Sequence, residues 1–121
     1  VAILKYYQIT YDHLITNKGN KMDIRKEVTL RSGNIKHTLH ALKEEAQDNI
    51  TAEQVENSLK YGFDIIEEYS DDPRGLSLLL LCFLGGLPVH VVCAPHEDTL
   101  IIITVYRPDK SKWTDGFKKR R

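Results

Sequence analysis

Cysteine is scarce in this chain: Cys82 and Cys93 are the only two, and both sit inside apolar, strand-like runs. That scarcity argues against a disulfide-stapled secreted scaffold. The thiols read as small core residues of a reduced, cytosolic protein, with a cystine across a hairpin as the alternative. An excess of either charge is also missing, since seventeen basic residues balance seventeen acidic ones. A dedicated duplex-DNA binder carries a clear basic surplus, and the chain as a whole has none. The longest apolar run, Leu76 to Leu84 with Ser77 inside it, is about half the length of a membrane span. The opening segment has no signal-peptide h-region or small-residue cleavage site, so a cytoplasmic protein without membrane contact is expected. Absent too are a glycine-rich phosphate loop, a Cys-x-x-Cys pair, a His-Glu-x-x-His helix and a Gly-x-Ser-x-Gly elbow. Those absences argue against P-loop hydrolysis and zinc-finger binding, and no cofactor is expected.

What is present suffices for one domain. With 121 residues and an apolar fraction of 41%, a chain of this size buries roughly two-thirds of its unfolded surface. Residues 1–21 read differently from the rest: an apolar, tyrosine-containing stretch (Ile3, Leu4, Tyr6, Tyr7, Ile9, Tyr11) runs into Asn17-Lys18-Gly19-Asn20-Lys21. They are expected to form an N-terminal extension to a single domain over 22–121, with Met22 a plausible natural start. A short helix is predicted from Ile24 to Leu30, stopped by Arg31-Ser32-Gly33-Asn34. A second is predicted over Lys36 to Asp48, with Leu39, Leu42 and Ala46 as its buried stripe and Asn49 as its C-cap. The third opens on a capping box, Thr51-Ala52-Glu53-Gln54, flanked by Ile50 and Val55 as a hydrophobic staple, and ends at Gly62.

From Phe63 the pattern turns to strands, predicted over Asp64–Tyr69, Leu76–Leu84, Leu87–Ala94 and Leu100–Arg107. The links are Asp71-Asp72-Pro73-Arg74-Gly75, the two-residue Gly85-Gly86 and the polar Pro95–Asp98. Links this short force antiparallel neighbours. Pro108 ends the sheet, and Lys112 to Lys119 is predicted as a short final helix. The expected fold is α+β: N-terminal helices packed on a C-terminal four-stranded antiparallel meander.

The candidate chemistry lies in histidines and a basic end. On the predicted second helix, His37, His40 and Glu44 would share one face. The spacing suits a facial metal site, and equally a polar face that water solvates. His90 interrupts the apolar run Val89-His90-Val91-Val92 and points with Val92 and Ala94. A buried imidazole needs hydrogen-bond partners, so it reads either as a satisfied core histidine or as a general acid or base. Tyr106 and Arg107 end the last strand, where both could reach a phosphate or simply close the strand. Beyond Val105 the chain carries seven basic residues, including Lys118, Lys119, Arg120 and Arg121, against Asp109 and Asp115. Such an end can follow a nucleic-acid backbone or fray in solvent. Trp113 reads as an anchor packing it onto the sheet.

Several of these blocks together carry a family resemblance. They are His40-Ala41-Leu42, Ile50-Thr51, Ile65-Ile66-Glu67-Glu68-Tyr69 with Asp71-Asp72-Pro73-Arg74-Gly75, Leu87-Pro88-Val89-His90-Val91-Val92, and Ile102-Ile103-Thr104-Val105-Tyr106-Arg107-Pro108-Asp109, ending at Trp113 and Phe117. In that order they resemble a small bacterial family called domain of unknown function 4258, over about Met22 to Arg121. The resemblance implies a fold like that of RelE- and ParE-type toxins, a group that includes metal-independent ribonucleases found beside antitoxin genes. It matches His40 to the histidine opening the family's helix, His90 to the one in its third strand, and Tyr106 and Arg107 to the end of its last strand. The family's helix usually carries two arginines where this chain has Glu44 and Asp48. Two anions there repel a phosphate, so either Arg74, Arg107 and the tail supply the charge or this member has lost catalysis.

Two functions follow as expectations. In the first, the chain is a metal-independent ribonuclease of a toxin–antitoxin module, with RNA and an antitoxin protein as partners. His40 and His90 would be its acid–base pair, Tyr106 and Arg107 would hold the phosphate, and Arg74, Lys118, Lys119 and Arg120 would bind the substrate. In the second, it is a non-catalytic protein-interaction domain, a degenerate relative of such toxins.

Overall fold

The computed structural model describes residues 23–70 and 75–121. The expected extension over 1–21 and the turn residues Asp71 to Arg74 lie outside them. Three helices are described: α1 (Ile24–Leu30), α2 (Leu39–Gln47) and α3 (Ala52–Tyr61). The strands are β1 (Ile35–His37), β2 (Asp64–Tyr69), β3 (Ser77–Leu84), β4 (Leu87–His96), β5 (Thr99–Tyr106), β6 (Trp113–Thr114) and β7 (Lys119–Arg120). No described helix is long and apolar enough to cross a membrane.

The architecture is α+β, but the four-stranded antiparallel meander is corrected. A five-stranded mixed sheet runs in the order β1-β5-β4-β3-β2, and a separate two-stranded sheet joins β6 to β7. The pairs from β2 to β5 are antiparallel as expected, while β1 runs parallel to β5, with Ile35 opposite Leu100 and His37 opposite Ile102. The two corrections have distinct physical causes. Lys36 and His37, expected to open the second helix, are drawn out with Ile35 as a strand because β5 offers them an edge. Lys112 to Lys119, expected as a helix, cannot wind as one: Asp115, Gly116 and Phe117 take φ of 52°, 66° and 70° in succession. Three left-handed residues reverse the chain into a hairpin.

Local signals hold where the sequence states them strongly. Thr51 Oγ1 accepts from Gln54 N at 3.1 Å and Gln54 Oε1 accepts from Thr51 N at 2.9 Å, the reciprocal capping box. Ile50 and Val55 are both buried in the main core. Gly85 and Gly86 sit at φ 56° and 83°, the doubly positive pair of a type I′ hairpin turn. Cys82 and Cys93 are buried and free. They are not cross-strand partners, since Cys82 lies opposite Val89 and Cys93 opposite Leu78. The main core fills the space between the helices and one sheet face, with Leu78, Leu80, Val89, Val91 and Ile102 meeting Ala41, Val55 and Leu59.

The second helix departs most from expectation. Its predicted buried stripe faces solvent: Leu39 is 68% and Leu42 44% exposed, and Ala46 is exposed as well. The buried positions are Ala41 and Glu45. Asp48 is the C-cap, and Asn49 takes the left-handed position after it, φ 59°. The cause is the edge of β5. Beyond His37 no described strand pairs with that edge of β5, and its outward backbone groups turn to α2 instead. Thr38 N donates to Ile102 O at 2.9 Å, and Thr38 Oγ1 to Ile103 O at 3.0 Å. Glu44 Oε1 then accepts from Val105 N at 3.0 Å, and Asp48 Oδ2 from Arg107 N at 3.2 Å. Four helical residues rise about 6 Å and two strand residues about 6.6 Å, so carboxylates four apart match amides two apart. Ala41, with only a methyl group, lets the helix come close enough for both to reach.

Removing the acceptor over the buried Val105 amide should therefore cost stability although Glu44 is itself charged. Glu44→Ala should lose about 1–3 kcal/mol in urea unfolding. Glu44→Gln keeps an oxygen in place and should lose clearly less.

Candidate functional site

Two polar clusters occupy opposite sides of the sheet. The first joins β1 to α2 and α3. His37 is nearly enclosed; its Nδ1 lies 2.7 Å from Glu45 Oε2 and its Nε2 2.9 Å from Glu56 Oε2. Each ring nitrogen thus faces a carboxylate oxygen. Glu45 is buried, and its second oxygen has no hydrogen-bond partner among the described residues. A hydrogen-bonded set of this kind is a structural clamp, since removing one partner leaves the others unsatisfied.

The sharing of one helical face by His37, His40 and Glu44 is not observed. His37 belongs to a strand and turns to Glu45 and Glu56. His40, 66% exposed at the start of α2, lies 3.3 Å from Glu44 Oε1. Among the described residues no group of three or more His, Cys, Asp or Glu side chains is arranged so that it could hold a metal ion.

The second cluster forms on the sheet face away from the helices. Val89 and Val91 enter the helical core, so alternation sends His90 between them to the other face, with its ladder partners Leu81 and Tyr106. His90 is fully buried. Its Nε2 lies 2.9 Å from Phe117 O, a pure acceptor, so that nitrogen carries the proton and donates. Nδ1 is then the acceptor, taking the Tyr106 hydroxyl proton at 3.0 Å. Trp113 packs edge-on against the imidazole, 4.4 Å between ring centres at 88°. Burial lowers the His90 pKa below its ordinary 6.5, the main influence on it, and raises that of Tyr106 above its own.

The C-terminal hairpin β6–β7 closes this cluster like a strap. Its left-handed turn brings the Phe117 carbonyl down to His90. Arg120 lies over the Trp113 ring, 4.7 Å from its centre, and forks onto Glu67, Nε to Oε2 at 2.7 Å and Nη2 to Oε1 at 3.0 Å. Tyr69 donates its hydroxyl to the same carboxylate. Arg120 holds the Glu67 carboxyl below the usual carboxylate range, while burial, helped by Glu67, pushes Tyr69 up to about 12. Lys118 Nζ reaches Asp64 Oδ2 at 3.4 Å. Two of the seven basic residues, Lys118 and Arg120, are thus engaged with acids of β2, and Trp113 is the anchor the sequence suggested, only 5% exposed.

Set against the expected site, the structure brings His90 and Tyr106 together, with Arg120 in the same network. It does not bring His40 to them, because the sheet lies between. Arg107 is exposed at the end of β5, Lys119 is exposed on β7, and Arg74 lies outside the described residues. Glu67 and Tyr69 were missed, although their alternation on β2 put them on one face. Glu45 and Glu56 were missed too, and no spacing rule links them to His37.

Because unfolded histidine binds a proton near pH 6.5 while buried His90 resists it, the stability it lends is complete above that pH and is lost as pH falls below it. Urea midpoints should fall more steeply from about pH 7 to pH 5 in the parent than in His90→Gln. Equal slopes would show that His90 does not carry this dependence.

No curated protein and no solved structure matches the chain. The family model described as domain of unknown function (DUF4258) matches residues 37–107, more than half the chain, from the clamped histidine to the end of β5. The chain belongs to that family.

Proposed function

We propose that this chain is a non-catalytic protein-interaction domain, a member of the RelE/ParE toxin-like group that binds a partner without cleaving RNA. The observation that carries the reading is the commitment of its imidazoles. Both nitrogens of His90 are engaged inside the fold, and His40 lies across the sheet in solvent. An acid–base pair must reach one scissile phosphate within hydrogen-bond distance, directly or through one water, and these two do not share a cleft. Glu44 and Asp48 support the same reading. They are anions bound to backbone amides where a phosphate-binding member needs cations.

A toxin-like ribonuclease is the second reading, favoured by one feature: the His90–Tyr106 and Glu67–Arg120 pairs flank Trp113 beside the C-terminal hairpin. The two readings separate in one experiment. Purified chain incubated with mixed RNA, with and without chelator, should leave the RNA intact. Metal-independent cleavage that disappears in a folded His90→Ala protein would overturn the binding reading in favour of the enzyme.

A further inference from the structure

Apolar surface is left uncovered where the end of α3 meets the tip of the β3–β4 hairpin. Tyr61 is 93%, Phe83 52% and Leu87 57% exposed. Two adjoining grooves run beneath this surface, sharing Ser58, Tyr61 and Phe83. The larger, about 330 Å³, is also lined by Asn49, Asn57 and Arg107. Neither cluster described above uses this region.

Three further observations say what fits there. First, no hydrogen bond or ion pair within the described residues engages the side chains of Asn49, Asn57 or Arg107. Two free amides, each both donor and acceptor, suit a peptide backbone. Second, β3 outruns its neighbour: pairing with β2 begins at Leu81, opposite Asp64. Leu84 and Leu87 flank the two-residue turn and bond to each other's backbone, so alternation points the N–H and C=O of Phe83 away from β4, past the end of β2. An open strand edge of this kind accepts an extended segment by added main-chain hydrogen bonds. Third, among the described residues that line the larger groove the only charged group is the Arg107 guanidinium, a fork that matches a carboxylate. Nucleic acid fits less well. A strand carries one phosphate per nucleotide and draws its affinity from several cations, whereas the described lining of this groove offers one.

We propose that this groove docks an extended acidic peptide of a partner protein, an apolar side chain against Tyr61 and Phe83 and a carboxylate on Arg107. The proposal deepens the binding reading above and rests on it. It is tested by selecting random peptides on the immobilised full chain, then measuring the enriched peptide, fluorescently labelled, by anisotropy. The expected consensus joins Phe, Leu or Trp to a nearby Asp or Glu. Tyr61→Ala and Phe83→Ala should each weaken binding about tenfold or more, as truncated aromatic anchors do. Arg107→Glu should shift selection toward Lys or Arg. All three side chains are exposed, so thermal melts matching the parent check that the variants fold.

No enrichment, a basic consensus from the parent, or binding indifferent to all three substitutions would overturn the groove. So would a labelled single-stranded RNA that binds through these same residues. Cleavage of RNA by a chain that still binds the acidic peptide would sink the non-catalytic reading and leave the groove standing.

Discussion

The outer edge of β5 sets terms that the rest of the molecule obeys. Its backbone amides beyond β1 must find acceptors, because a buried donor left unpaired costs as much as several favourable contacts provide. A sixth strand would have met the need; the chain uses a helix instead. The helix is consequently docked by its carboxylates, with Glu44 and Asp48 inward and Leu39 and Leu42 turned to solvent. The same edge, had it stayed open, would have been a template for pairing with another chain. Closing it with acidic side chains removes that hazard. It also fixes two acidic side chains, Glu44 and Asp48, along that edge of β5.

The opposite face solves a different problem by the same rule. His90 is an imidazole in the middle of a strand with nothing polar on either side of it in sequence. Its two partners come from β5 and from the turn of the C-terminal hairpin. Each further member of the network, Trp113, Arg120, Glu67 and Tyr69, holds its neighbour in register. The buried pair of bonds at His90 rigidifies what it joins, and Arg120, at the surface, ties the hairpin to β2 through Glu67. Lys118 and Arg120 therefore serve the fold.

Sequence reading succeeded where the physics is local. The Thr51–Gln54 box and the Gly85-Gly86 turn are decided by residues within four positions of one another, and both were legible. The strands from β2 to β5 followed from their apolar patterns and short links. Reading failed where the deciding partner is distant. Nothing in Ile35-Lys36-His37 announces an edge at Leu100 to Ile102, and a Leu39–Leu42–Ala46 stripe looks buried until the demands of β5 are known. For the site, the need of His90 for partners was legible, and so was the anchoring role of Trp113. That the Phe117 carbonyl would fill the need was not, because it depends on a reversal at Asp115 to Phe117. The pairing of His40 with His90 failed for the simplest reason: strand alternation sends His90 to the face that α2 does not cover.

The parallel pairing of β1 with β5 has a consequence for how the molecule is made. Among the described residues β1 pairs only with β5, and everything from Thr38 to Asp98 must be synthesised between the two. Until β5 emerges, that pairing cannot form, and α2 has no β5 edge to close. Contacts so remote in sequence slow the search for the native state. The helices and the β3–β4 hairpin can form during synthesis, but the sheet can be completed only once β5 has emerged, so assembly finishes late and largely in one step.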